Sequence, residues 1–200
     1  MSSKWIRGVI LAAAVLATAI VWGTGGGVSI AYIKAFVTAS GIVTVVVLLF
    51  DAWGWRQPGL RRLTRRPVLH GTWRAHLRTN FAERAGEEIE CYIVVRQTYS
   101  RISVRMLFDR SRSASMSGDL VFEDGACTLY YLFRTEASAL HREGNPPARG
   151  GAVLAIARKP RMTLEGDYWT ERDTRGDVRT LGHTSNLYDT YQDARAARYD

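Results

Sequence analysis

The chain has 200 residues, 46% of them hydrophobic, and a formal net charge of +8 at pH 7. That length allows one or two domains, and the average hides an apolar head followed by a polar body. Its two cysteines, Cys91 and Cys127, both fall in predicted strands and read as packed thiols of a reducing compartment, which excludes a disulfide-held scaffold.

At the front, Trp5–Trp22 and Val28–Phe50 are nearly unbroken apolar stretches. Each reaches the roughly 17–25 residues that a helix needs to cross a bilayer. Only Gly23-Thr24-Gly25-Gly26-Gly27 joins them, so residues 1–55 are expected to form an N-terminal two-helix transmembrane hairpin. Trp5, Trp22, Tyr32, Trp53 and Trp55 stand at the span ends, where aromatic belts form. Lys34 lies near the outer end and either snorkels to the interface or serves as a pairing or pore-lining charge. Ala31, Ala35 and Ala39 recur at four-residue spacing, a pattern that permits close helix approach within the hairpin or between protomers.

Residues 56–69 form a basic linker. Arg56, Arg61, Arg62, Arg65 and Arg66 follow one another with no acid among them. With Lys4 and Arg7 at the other end, the positive-inside rule predicts a multi-pass protein with both termini in the cytoplasm. The run acts as a topology determinant or holds anionic lipid headgroups.

Beyond Pro67 the hydrophobic period becomes two, the signature of strands. The runs are Thr72–Thr79, Glu88–Thr98, Arg101–Asp109, Ser113–Phe122, Ala126–Thr135, Gly151–Arg158, Met162–Glu171 and Arg175–His183. Glu123-Asp124-Gly125, Lys159-Pro160 and Arg175-Gly176-Asp177 supply turns, and Glu136–Gly150 is a long loop. Eight strands with short turns predict an all-β domain over residues 70–185, an eight-stranded antiparallel up-and-down (lipocalin-like) barrel; a sandwich is the competing architecture. A barrel of this size holds packed side chains or one small ligand. Residues 186–200 form a C-terminal tail with a weak helical segment, Leu187–Tyr199.

Following the chain up and down brings Arg110, Arg112, Arg134, Arg172 and Arg175 to the mouth far from the linker. Thr170 and Thr174 join them, with Tyr168 just inside and Tyr130 or Tyr131 lower on the wall. Guanidinium forks bind phosphate, hydroxyls add hydrogen bonds and flat rings stack on bases. The mouth therefore suits a small, doubly anionic nucleotide. The plainer alternative is that Gly166 and Gly176 mark a bulge and a turn, and that Tyr168 fills the core.

Leu164-x-Gly166-x-Tyr168-x-Thr170-x-Arg172-x-Thr174-x-Gly176, after the Gly71-x-Trp73 strand opening, resembles a bacterial family. These are the two-transmembrane, β-strand-rich effectors of the cyclic-oligonucleotide antiphage systems (CBASS). The resemblance implies an inner-membrane protein whose barrel binds a cyclic dinucleotide made by a partner nucleotidyltransferase. Binding then drives homo-oligomerisation and membrane disruption, an abortive-infection response. It implies Tyr168, Thr170, Arg172 and Thr174 as ligand-binding residues, while Arg110, Arg134, Arg175 and Tyr130 rest on strand topology alone. The cyclic oligonucleotide is the activating ligand, the bilayer a further partner, and polymeric nucleic acid is not expected. An apolar-ligand or adaptor barrel is the alternative function.

No hydrolase or transferase motif stands out. His70, His76, His141 and His183 lack ligand spacing. The chain reads as a non-enzyme, with no metal and no cofactor.

Overall fold

The structure, a computed structural model, describes residues 14–15, 18–19, 30–81, 84–138 and 146–200. The chain falls into two compact units, residues 1–67 with 98–101, and residues 68–97 with 102–200.

The first unit is helical. Helix α1 (Ile30–Ala52) runs for 23 residues and is followed by a 3-10 turn, Gly54–Arg56, and α2 (Pro58–Thr64). Pro58 opens α2, where its missing N–H breaks no helical bond, and Arg65 ends it in the left-handed region at φ 51°. Asp51 fastens the turn at 98–101. Its carbonyl accepts from the Tyr99 N–H at 2.9 Å, and its Oδ1 accepts from the Ser100 N–H at 2.8 Å.

The expected transmembrane hairpin is corrected here. Among the described residues no helix is long and apolar enough to cross a membrane. Helix α1 occupies the second expected span, but Lys34, Thr38, Ser40, Gly41 and Thr44 interrupt its apolar surface. The first expected span, Trp5–Trp22, and the glycine loop lie outside the described residues except for 14–15 and 18–19, which are helical. The multi-pass inner-membrane placement, with both ends cytoplasmic, loses its basis with the hairpin.

The second unit is a closed barrel of eight antiparallel strands in sequence order. They are β1 (Gly71–Thr79), β2 (Glu88–Gln97), β3 (Ile102–Leu107), β4 (Ser111–Glu123), β5 (Ala126–Ala137), β6 (Ala148–Ala157), β7 (Thr163–Thr170) and β8 (Arg175–Thr184). All eight alternating runs of the sequence are strands, and closure rules out the sandwich. Pairing of β1 with β8 completes the cylinder, with a register shift between Arg74 and Ala75. A second shift, between Ser115 and Ser117, lies in β4. Such shifts locally increase the twist and bend that a small barrel needs.

Alternation sends Trp73, Ala75 and Leu77 inward with Cys91, Ile93, Met106, Leu129, Tyr131, Phe133, Leu154, Leu164 and Val178, all in one buried cluster. Burying each large apolar side chain contributes about 1.5–3 kcal/mol. The Tyr131 hydroxyl donates to Met106 Sδ at 3.5 Å, and so keeps a polar contact inside the core. Burial also pushes the Cys91 and Tyr131 pKa values up, so both stay protonated.

Strand β2 is apolar on both sides because both are covered. Its outward residues Tyr92 and Val94, with Leu107 of β3, meet the C-terminal segment through Leu187, Tyr188, Tyr191, Ala194 and Tyr199. Here the weak helical segment becomes α3 (Tyr191–Ala196), begun by Thr190, whose Oγ1 accepts from the Asp193 N–H at 3.1 Å. Asp189 clamps it by pairing with Arg105 at 2.8 Å and Arg96 at 3.2 Å. Asp200 and His183 exchange two backbone hydrogen bonds.

Candidate ligand-binding site

The β7–β8 hairpin shapes a depression of about 570 Å³ lined by Asp167, Tyr168, Trp169, Thr170, Asp173, Arg175, Gly176 and Asp177. Across the hairpin Trp169 faces Arg175, Tyr168 faces Gly176, and Asp167 faces Asp177. The turn closes with the Thr170 N–H donating to the Thr174 carbonyl at 2.9 Å, and Asp173 sits at φ 57°. Neighbouring segments pin it. Asn80 donates to the Asp173 carbonyl at 3.2 Å and accepts from the Arg175 N–H at 2.7 Å. On the other flank the Arg149 N–H donates to Glu171 Oε1 at 3.0 Å. These loops do gather at one end of the barrel.

Tyr168 and Thr170 occupy the inward phase of β7. A Cβ on Gly176 would run into the Arg78 carbonyl and the Tyr168 ring. Gly166 would strike the Val153 carbonyl in the same way. Both glycines thus serve close strand approach. The Tyr168 pKa is raised, chiefly by burial, with a hydrogen bond to Thr79 opposing the shift, so the phenol is a neutral donor at physiological pH.

Two further features line the hollow. Trp169 lies on the outer face at 46% exposure, opposite Gly151 of β6. A Cβ at Gly151 would fall 2.6 Å from the indole, so the ring lies over bare backbone and keeps its other face open. An exposed ring held in this way offers a base a stacking surface. The three aspartates Asp167, Asp173 and Asp177 make the hollow itself acidic. Phosphates are therefore favoured along its arginine side, and the carboxylates are free to accept from base amino or ribose hydroxyl groups.

The expected residues separate into two groups. Tyr168, Thr170, Arg172, Thr174 and Arg175 belong to the hairpin, with Arg172 and Thr174 half-buried in the turn and Arg175 exposed. Arg110 sits in the β3–β4 turn, 4.0 Å from Asp109, and its carbonyl accepts from the Ser138 N–H at 3.0 Å. Arg134 points outward on β5 and shares Glu136 with Arg112, at 3.8 and 3.5 Å. Tyr130 also points outward, 42% exposed, between Asp119 and Val153; of the two wall tyrosines, Tyr131 faces inward. Trp169, which lines the hollow, was not singled out in the sequence, although the phase that turns Leu164, Gly166, Tyr168 and Thr170 inward turns it outward. Among the described residues no group of His, Cys, Asp and Glu is suited to a metal ion.

The family model for the Cap15 cyclic dinucleotide receptor domain matches residues 64–181, which is more than half of the chain and almost the whole barrel. The chain belongs to this family of cyclic dinucleotide receptor domains. It is also 26% identical over 175 residues to the CD-NTase-associated protein 15 of Staphylococcus schleiferi, an alignment covering 88% of this chain and 90% of that relative.

Proposed function

We propose that this chain is an effector of CBASS antiphage defence whose barrel binds a cyclic dinucleotide made by a partner nucleotidyltransferase. The observation that carries the reading is the match of the receptor-domain family across the barrel. The relative's designation, CD-NTase-associated, supports the partner class.

The β7–β8 hollow is the proposed binding site. Arg172 and Arg175 hold phosphates by forked hydrogen bonds, Thr170, Thr174 and the neutral Tyr168 phenol add hydroxyls, and Trp169 stacks on one base. Arg110 and Arg134 contribute longer-range positive potential, since each already has a carboxylate nearby. The barrel interior is filled by Trp73, Tyr131, Phe133 and their neighbours, which favours a ligand at the end or wall over an apolar guest inside. Occupancy shifts the chain toward an assembled form, provided that form binds the ligand more tightly.

Calorimetric titration of the full chain with a panel of cyclic dinucleotides tests this. Saturable binding by at least one member, weakened tenfold or more by Arg172→Ala and by Trp169→Ala with the fold retained, is the expected result. Binding unchanged in both variants would remove the hairpin as the site. The absence of binding by any member would remove the receptor reading.

A further inference from the structure

In the first unit, arginines and aromatic rings alternate around Tyr99. Trp55 is fully buried, its ring 6.2 Å from that of Tyr99. Arg66, only 9% exposed, sets its guanidinium 5.6 Å from the Tyr99 centroid. Arg56 lies 5.7 Å over the Trp55 ring. Two donors in this stack, Trp55 Nε1 and Arg66 Nε, are shut off from solvent with no acceptor among the described residues.

Leaving one such donor unsatisfied costs about 1–3 kcal/mol, and more when the group is charged. The adjoining stretch of chain supplies no carboxylate to these donors. No Asp or Glu occurs in the sequence between Asp51 and Glu83, and Asp51 Oδ1 is already engaged by the Ser100 N–H. Burial lowers the Arg56 pKa. Arg61, Arg62 and Arg65 add positive charge from α2 and its end. The cluster thus holds two buried N–H donors, on Trp55 and Arg66, that lack an acceptor among the described residues, in a strongly basic stretch of chain.

We infer that this cluster is a phosphate-binding site, with Trp55 Nε1–H and Arg66 Nε–H donating to phosphate oxygens. Tyr99 fixes the plane of the Arg66 guanidinium by stacking, and Arg56 swings off the Trp55 ring to admit the anion and then neutralises it. A phosphate ester fits where a carboxylate does not suffice, because it presents three or four acceptor oxygens to donors arriving from several directions. The phosphate comes either from a lipid headgroup or from a small soluble phosphate. This site is separate from the β7–β8 hollow and does not depend on the reading of the barrel.

The test uses the full chain with nitrogen-15-labelled indoles, the Trp55 resonance being assigned by its loss in Trp55→Phe. Sodium phosphate is titrated against sodium chloride at matched ionic strength. In parallel, phosphatidylglycerol vesicles are compared with vesicles of a phosphate-free neutral glycolipid. The expected result is a saturable downfield shift of the Trp55 indole proton with a phosphate-bearing probe. Arg66→Lys, which keeps the charge but lacks Nε–H, should weaken that response at least tenfold while the other indole resonances stay in place. A shift with inorganic phosphate identifies a soluble phosphate, and one with phosphatidylglycerol alone identifies a lipid headgroup; both support the site. No shift with either probe, or an equal shift with chloride, overturns it.

Discussion

At Gly176 the gap between β1 and β8 leaves no room for a side chain, because a Cβ would meet both the Arg78 carbonyl and the Tyr168 ring. Gly176→Ala should therefore destabilise the chain by about 1–3 kcal/mol through overpacking, read as a lower urea midpoint. It should also displace Tyr168 and weaken cyclic dinucleotide binding. Gly59 supplies the contrast: it sits in α2 with nothing within 4 Å of a Cβ. Gly59→Ala should leave the midpoint unchanged or raise it, since alanine is the better helix former by about 0.5–1 kcal/mol. Equal effects of the two changes would mean that the close approach at Gly176 relaxes freely. Sequence spacing showed that Gly166 and Gly176 were special but suggested a bulge and a turn, because a steric demand between strands depends on register. Trp169 escaped notice for a related reason. The stacking role proposed for it needs Gly151, and those two residues meet only through the β6–β7 pairing.

Among elements, the strands were the most legible because alternation and turn chemistry agree along most of their length. Strand β2 shows where alternation stops helping. Cys91-Tyr92-Ile93-Val94-Val95 is apolar throughout, and only the C-terminal segment explains why its outer face is buried. That segment was weakly legible because α3 has just six residues, too short for a periodic signal. The apolar runs at the front were read as membrane spans from length and hydropathy, but among the described residues no helix is long and apolar enough to cross a membrane. For the C-terminal segment that covers β2, alkali is the informative variable. The Tyr199 hydroxyl donates to the Ala194 carbonyl at 2.6 Å, and burial pushes its pKa from 10.0 up to about 12. Because the folded value is raised, this stabilisation is fully present below pH 10.0 and fades as pH rises toward about 12. Wild type should exceed Tyr199→Phe in urea stability by about 1 kcal/mol near neutrality, the worth of one hydrogen bond. The gap should close and then reverse across the alkaline window; a gap independent of pH would show that Tyr199 stays outside the packed C-terminal segment.

For the whole molecule, closure of the barrel limits how a ligand signal can leave it. Each strand has a neighbour on both sides, but β3 pairs with β4 only over Arg112–Ala114, so among the described residues the far half of β4 is a stretch of sheet edge left for another copy to extend. The proposed ligand-driven assembly then has that short edge, the barrel faces, the loops or the first unit to work through. The filled interior also makes a large collapse or expansion of the cylinder costly, because dense cores pass strain on and do not absorb it. What a ligand at the proposed site can change at little cost is the end of the barrel, where the β7–β8 turn is held by Asn80 on one flank and by the Arg149 backbone on the other. Coupling between site and assembly is reciprocal: whatever factor the ligand adds to self-association, self-association must return to ligand affinity. The full chain should therefore bind its cyclic dinucleotide more tightly as protein concentration rises, and should sediment faster once ligand is present. Asn80→Ala frees one flank of the turn while leaving its arginines in place, so it should weaken binding at low and high concentration alike, with the ratio preserved. A dissociation constant that stays the same from dilute to concentrated protein would show that the barrel binds without driving assembly.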